Sequence, residues 1–142
     1  MTDLSTDPLI NAVHNGIKRG IRVALENDCL GSAVILILSG IDAMAYVGMP
    51  AGQEDVTRND FITWVERYIK FSCSEQLSGW DLYGARCAML HSYGTASDLS
   101  RKGKCRQMAT WITLFQKFVL IQAYLWIWFL FQYMHSRMPS FP

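Results

Sequence analysis

A continuous apolar run over residues 33–47 is the feature that most restricts how this chain can fold. The run has no polar face of helical width, so it predicts a helix that is buried nearly all round. Its Ala, Ser and Gly residues would let a neighbouring helix approach closely. Asp42 lies inside the run, and an unpaired carboxylate in an apolar site costs several kcal/mol. We therefore expect a central helix in which Asp42 has a partner.

Amphipathic patterns on both sides of this run predict further helices. A first helix is expected over residues 8–27, with Asp7 as its cap and Pro8 in its first turn. Its basic residues, Lys18, Arg19 and Arg22, are expected to form a solvated patch. The apolar face of this helix comprises Leu9, Val13, Ile17, Ile21 and Leu25.

A third helix is predicted from a capping-box pattern, Thr57-x-x-Asp60, to about residue 71. Its buried stripe comprises Phe61, Trp64, Val65, Tyr68 and Ile69. No strand pattern is visible along the chain, so the aromatic stripe indicates a helical core and not a base-stacking sheet. The sequence thus predicts an all-α bundle of four or five helices.

The composition excludes several classes of protein. Thirteen Lys and Arg against twelve Asp and Glu give a net charge of +1, so no overall field attracts nucleic acid or an anionic membrane. The four cysteines form no Cys-x2-Cys pair, which favours reduced, buried thiols in a cytoplasmic protein. No secretory signal, phosphate-binding glycine loop or His/Cys cluster is present, so we expect neither a metal nor a cofactor.

Residues 82–94 are predicted to form a short helix with glycines at its ends, and they contain Arg86 and His91 in an Arg-x4-His pattern. Residues five apart are separated by about 140° around a helix, so these two side chains flank a face. That face carries Tyr83, Cys87, Leu90 and Gly94, a mostly apolar strip suited to packing against another helix. A second copy packed there would bring two arginines and two histidines to one cleft.

Arginine and histidine are sufficient for one known chemistry. Arginine binds phosphate oxygens through a charged fork, and histidine gives or takes a proton near neutral pH, so together they suit metal-free cleavage of RNA through its 2′-hydroxyl. The hydroxyls of Tyr83 and Ser92 are expected to assist substrate binding. A polar loop over residues 95–106 adds four candidate substrate-binding cations, Arg101, Lys102, Lys104 and Arg106.

A helical chain with Arg-x4-His late in its sequence resembles the HEPN superfamily. The resemblance extends loosely over residues 9–106, and it implies a small helical bundle that dimerises and places the motif in a cleft at the dimer interface. It further implies metal-independent endoribonuclease activity, as in toxins, abortive-infection and CRISPR-associated proteins, with Arg86 and His91 as the catalytic residues. Many active members have Asn or Asp directly after the arginine, whereas this chain has Cys87.

Other interpretations of the motif remain open. Arg86 could pair with an acid such as Asp42 or Asp81 while His91 caps a helix end. The chain would then be an inactive interaction protein, such as the antitoxin-like regulatory partner of another protein.

Residues 108–142 are predicted to form an apolar, aromatic-rich C-terminal helix that follows a bundle domain over residues 1–107. The uncharged part, residues 118–134, has 17 residues. A helix of that length spans about 26 Å, which only just reaches across a bilayer core of about 30 Å. Tryptophans lie in mid-run and glutamines interrupt it, so we favour packing on the bundle or a partner. A membrane-associated protein is the alternative.

Overall fold

A computed structural model describes residues 8–69 and 77–107 of this chain. Within those ranges the regular structure is helical and contains no strand. The prediction of an all-α protein is confirmed. The helices are α1 (Pro8–Asn11), a π-helical segment (Ala12–Lys18), α2 (Arg19–Glu26), α3 (Leu30–Val47), α4 (Arg58–Tyr68), α5 (Gly79–Ser92) and α6 (Asp98–Arg101).

The first helix contains a π-helical segment that the sequence did not predict. Helical structure begins at Pro8, as expected, and Val13 and Ile21 are fully buried. The wider turn of a π-helix changes the register of the residues that follow it. Lys18, at its end, is buried instead of lying in a solvated basic patch, so that prediction is wrong for Lys18. Burial lowers the pKa of its ammonium group, whose Nζ lies 3.3 Å from Nδ1 of His14.

Helix α3 is the central element of the described structure, as the apolar run predicted. It packs against α2, α4 and α5. Its buried residues are Ala33, Val34, Ile37, Leu38, Gly40, Ile41, Met44 and Ala45. Within the described ranges, α3 is also the one helix long and apolar enough to cross a membrane. Core helices pass the same test, but 44% of this helix is buried inside the described structure, which is less than the burial nearly all round that the sequence predicted.

Helix α4 begins with the predicted capping box. The hydroxyl of Thr57 accepts a hydrogen bond from the backbone N–H of Asp60, and the Asp60 carboxylate accepts one from the Thr57 N–H at 2.7 Å. The helix ends at Tyr68 because Ile69 has an extended backbone, so it stops about three residues before the predicted end. The predicted stripe is buried at Phe61, Trp64, Val65 and Ile69, while Tyr68 packs at its edge.

The caps of α5 differ from those predicted. The helix begins at Gly79, three residues earlier than expected, because Ser78 and Asp81 form a capping box. It ends at Ser92, where Tyr93 adopts a left-handed conformation with φ of 49°. The expectation of glycines as caps is therefore wrong. The loop predicted after α5 contains a short helix, α6, which Ser97 caps.

Several sequence predictions fall wholly or partly outside the described residues, including Asp7 as the cap of the first helix and residues 70–71 of the predicted third helix. The C-terminal helix over residues 108–142, including the candidate membrane segment 118–134, lies outside them. Among the cysteines, Cys73 lies outside as well. Cys29 is exposed, whereas Cys87 and Cys105 are half-buried, and all three are free thiols. The prediction of buried thiols is thus wrong for Cys29.

Candidate functional site

A surface pocket of about 450 Å³ lies between α5, α6 and the first residue of α4. Most of its polar lining residues are exposed to solvent. The pocket is lined by Arg58, Tyr83, Cys87, His91, Ser92, Ala96, Ser97, Asp98, Leu99, Arg101 and Lys102.

One face of α5 forms the first wall. Tyr83, Cys87 and His91 are spaced four apart, so they lie one above another on the same side of the helix. Ser92 follows, and its hydroxyl donates a hydrogen bond to the backbone carbonyl of Ala88 at 2.9 Å. The pocket therefore lies along part of the α5 face that was predicted to pack against a second helix.

The opposite wall consists of α6 and the turn that precedes it. Ser97 caps α6, and its backbone N–H donates to the hydroxyl of Ser100 at 2.9 Å. Arg101 forms an exposed ion pair with Asp98. The hydrogen bond and charge of Arg101 lower the pKa of Asp98. Lys102 lies beside this pair, so it adds a cation to the rim.

The buried carboxylate of Asp81, near the start of α5, binds Arg106 in the segment that follows α6. Asp81 accepts hydrogen bonds from the backbone N–H of Arg106 at 2.8 Å, from its Nη2 at 2.7 Å and from its Nε at 3.1 Å. It also accepts bonds from the N–H and hydroxyl of Ser78, both at 2.9 Å. Burial alone would raise the pKa of Asp81, but these donors outweigh it and lower the pKa to about 2.

The same wall packs on α5 at a glycine. A Cβ on Gly84 would overlap Sγ of Cys105, and it would lie 3.4 Å from Cβ of that residue. Burial raises the pKa of the Cys105 thiol. The absence of a side chain at position 84 thus allows the segment after α6 to lie directly on α5.

Arg86 is bound to the central helix α3 and not to the pocket. Its Nε donates to Oδ2 of Asp42 on α3 at 2.8 Å, which gives Asp42 the partner that the sequence required. Burial works to lower the pKa of Arg86, but the hydrogen bond and charge of Asp42 outweigh it and raise the pKa. Arg86 does not line the pocket, although its guanidinium carbon is 5.7 Å from the ring centroid of Tyr83, which does.

The pocket therefore gathers five of the eight predicted site residues. These are Tyr83, His91, Ser92, Arg101 and Lys102. The other three are outside its lining: Arg86 is paired with Asp42, Arg106 is bound to Asp81, and Lys104 is exposed beyond α6. No group of three or more His, Cys, Asp or Glu side chains suited to a metal ion occurs in the described ranges.

Arg58 is a pocket residue that no sequence pattern predicted. It is the first residue of α4, and it reaches the pocket because α4 packs against α5. No local motif marks it. Its position directly after the Thr57 cap indicates that Arg58 begins α4. That position does not indicate which helix its side chain contacts.

Comparisons of the chain with models of protein families, with curated proteins and with solved structures found no match.

Proposed function

We propose that this chain is a HEPN-like protein that binds RNA in the pocket between α5 and α6 and cleaves it without a metal ion. The observation that carries the proposal is that His91 shares one open pocket with three hydroxyl-bearing residues and with cations from two helices. This combination of positive charge and hydrogen-bond donors suits a phosphodiester, since charge-assisted hydrogen bonds bind phosphate oxygens more strongly than neutral ones do.

The proposed reaction needs only groups of the chain and of RNA. The 2′-oxygen loses its proton to a base and forms a bond to the adjacent phosphorus. The bond from phosphorus to the 5′-oxygen breaks, and that oxygen takes up a proton from an acid. The products are a 2′,3′-cyclic phosphate and a 5′-hydroxyl. We assign one of the two proton transfers to His91, because imidazole exchanges protons near neutral pH.

A second copy of the chain would supply the other proton transfer. The resemblance to HEPN proteins implies a homodimer with its cleft at α5, and Leu90 on α5 is an exposed apolar side chain. Arg86 binds Asp42 through Nε, a single-point contact, whereas Arg106 donates to Asp81 from both Nε and Nη2. In the proposed dimer the terminal nitrogens of Arg86 contact phosphate.

The experiment is cleavage of a single-stranded RNA oligonucleotide by the full chain in EDTA. We expect a cyclic phosphate product, no cleavage of the 2′-O-methyl oligonucleotide, and loss of cleavage in His91→Ala and His91→Gln. Circular dichroism should show an unchanged fold, because His91 is exposed. Undiminished cleavage by His91→Ala would contradict the assignment.

The pairing of Arg86 with Asp42 favours a second candidate function. If that ion pair is only structural, the chain is a helical interaction protein that has lost its chemistry, in keeping with Cys87 at the position after the arginine. Gel filtration with and without RNA separates the two. The interaction protein is expected to elute at the same volume in both cases, and the RNA-binding protein to shift.

A further inference from the structure

Arg58 is held against the pocket by aromatic rings. Its guanidinium carbon lies 5.4 Å from the ring centroid of Tyr83 and 5.8 Å from that of Trp80, both on α5. A cation within about 6 Å of an aromatic centroid is attracted by the ring quadrupole. The side chain is nevertheless exposed and forms part of the pocket lining. Its charge is thus oriented without being removed from solvent.

The other arginines near the pocket have carboxylate partners. Arg101 is paired with Asp98, Arg86 with Asp42 and Arg106 with Asp81. Within the described ranges, Arg58 forms no ion pair. Its charge is therefore the one arginine charge at this pocket that no described carboxylate offsets.

The dipole of α4 does not favour a positive charge at the position of Arg58. A cation in the first turn of a helix is unfavourable, because the N-terminal end of the helix dipole is positive. The Asp60 carboxylate in the same turn is bonded to Thr57 and Gln53. The Arg58 guanidinium instead lines the pocket, where it attracts an anion that enters.

We propose that Arg58 binds a phosphodiester of RNA in this pocket, with Tyr83 and Trp80 as the residues that position its guanidinium. The inference rests on the proposed function, and it adds to the phosphate contact proposed for Arg86 a second contact, from a residue outside the Arg-x4-His motif. A stacked guanidinium has lost part of its rotamer freedom before the ligand arrives, so less entropy is lost when it binds phosphate.

The test measures binding of the full chain to a 2′-O-methyl RNA oligonucleotide, which cannot be cleaved, by fluorescence anisotropy at several salt concentrations. Loss of a charge-assisted hydrogen bond is expected to weaken binding by Arg58→Gln about tenfold. Loss of one phosphate contact on a single strand is expected to lower the slope of log affinity against log salt by about 0.7. Arg58→Lys should restore the slope and only part of the affinity.

Arg67→Gln is the matched control. Arg67 is on the same helix, is exposed, and stacks on Tyr68 at 5.4 Å, but it does not line the pocket. Its replacement should leave both affinity and slope unchanged. If Arg58→Gln binds RNA as tightly as the wild type, or if both variants weaken it equally, the assignment of Arg58 is overturned while the proposed function stands. A wild-type chain that does not bind RNA overturns both.

Discussion

Arg86 and Asp42, 44 positions apart in the sequence, meet through a 2.8 Å hydrogen bond that joins α5 to the central helix α3. The contact reduces the cost of placing the Asp42 carboxylate in an apolar helix, because Arg86 supplies the opposite charge. It also places one residue of the Arg-x4-His pattern in a structural role. Arg86 therefore contributes to stability whatever its part in RNA chemistry.

We expect Arg86→Gln to lower the free energy of unfolding by about 1–2 kcal/mol, as measured by urea denaturation. The two side chains are 25% and 22% exposed, so the pair lies between a surface ion pair, worth about 0–1 kcal/mol, and a buried one, whose disruption costs about 3–5 kcal/mol.

A double-mutant cycle isolates the contact. Asp42→Asn removes the charge that Arg86→Gln leaves unpaired, so the double variant should be less destabilised than the sum of the two single variants. Arg22→Gln serves as a control, because Arg22 is exposed on α2 and should contribute little. Additive losses in the cycle would show that the pair does not contribute to stability.

Asp81 should make the stability of the domain depend on acid pH. Its folded pKa of about 2 lies below the ordinary 3.8, so its charge stabilises the fold above about pH 4, and this contribution is lost as pH falls toward 2. The shift corresponds to about 2 kcal/mol. We expect the difference in unfolding free energy between the wild type and Asp81→Asn to shrink by that amount between pH 5 and pH 2.

Asp98→Asn is the matched comparison for Asp81. The pKa of Asp98 is also lowered, by its hydrogen bond to Arg101, but both side chains are largely exposed and solvent screens the pair. Its replacement should leave the pH dependence of unfolding nearly unchanged. An equal effect of the two substitutions would show that the Asp81 contacts with Ser78 and Arg106 are not the origin of the acid sensitivity.

Local patterns predicted much of the helical framework. Strong apolar periodicity marks α3, and the capping box at Thr57 and Asp60 marks the start of α4, because both depend on residues within one or two turns. The need of Asp42 for a partner also followed from the sequence. The same cap pattern is present at Ser78 and Asp81, but both residues precede the helix predicted over residues 82–94, so α5 begins earlier than expected.

The site was less predictable because it depends on how helices face one another. Spacing within α5 correctly placed Tyr83 and Cys87 on one face of the helix, with His91 at the edge of that face. It could not show that Arg86 points to α3. Arg58 approaches from another helix, and no periodicity within α4 indicates that approach. The left-handed Tyr93 has no sequence signal, since tyrosine rarely adopts positive φ.

Gly84→Ala should destabilise the domain by about 1–3 kcal/mol, because the new methyl group would overlap Sγ of Cys105. Cys105→Ala removes that sulfur, so the double variant should recover most of the loss in thermal denaturation. Gly16→Ala is the control: no atom lies within 4 Å of a Cβ there, and alanine favours a helix over glycine. A double variant no more stable than Gly84→Ala would contradict packing of this wall on α5.

Leu90→Glu tests whether α5 forms the interface between two copies of the chain. Leu90 is 36% exposed and follows Arg86 by one helical turn, so in the proposed dimer a carboxylate there would be buried against its symmetry mate. Light scattering after gel filtration should show a dimer for the wild type and a monomer for Leu90→Glu. Val23→Glu, at an apolar residue on α2 that is 46% exposed, should remain dimeric. If cleavage needs residues from both copies, RNA hydrolysis should be lost together with the dimer. A monomer that still cleaves RNA would show that one copy holds all the residues that the reaction needs.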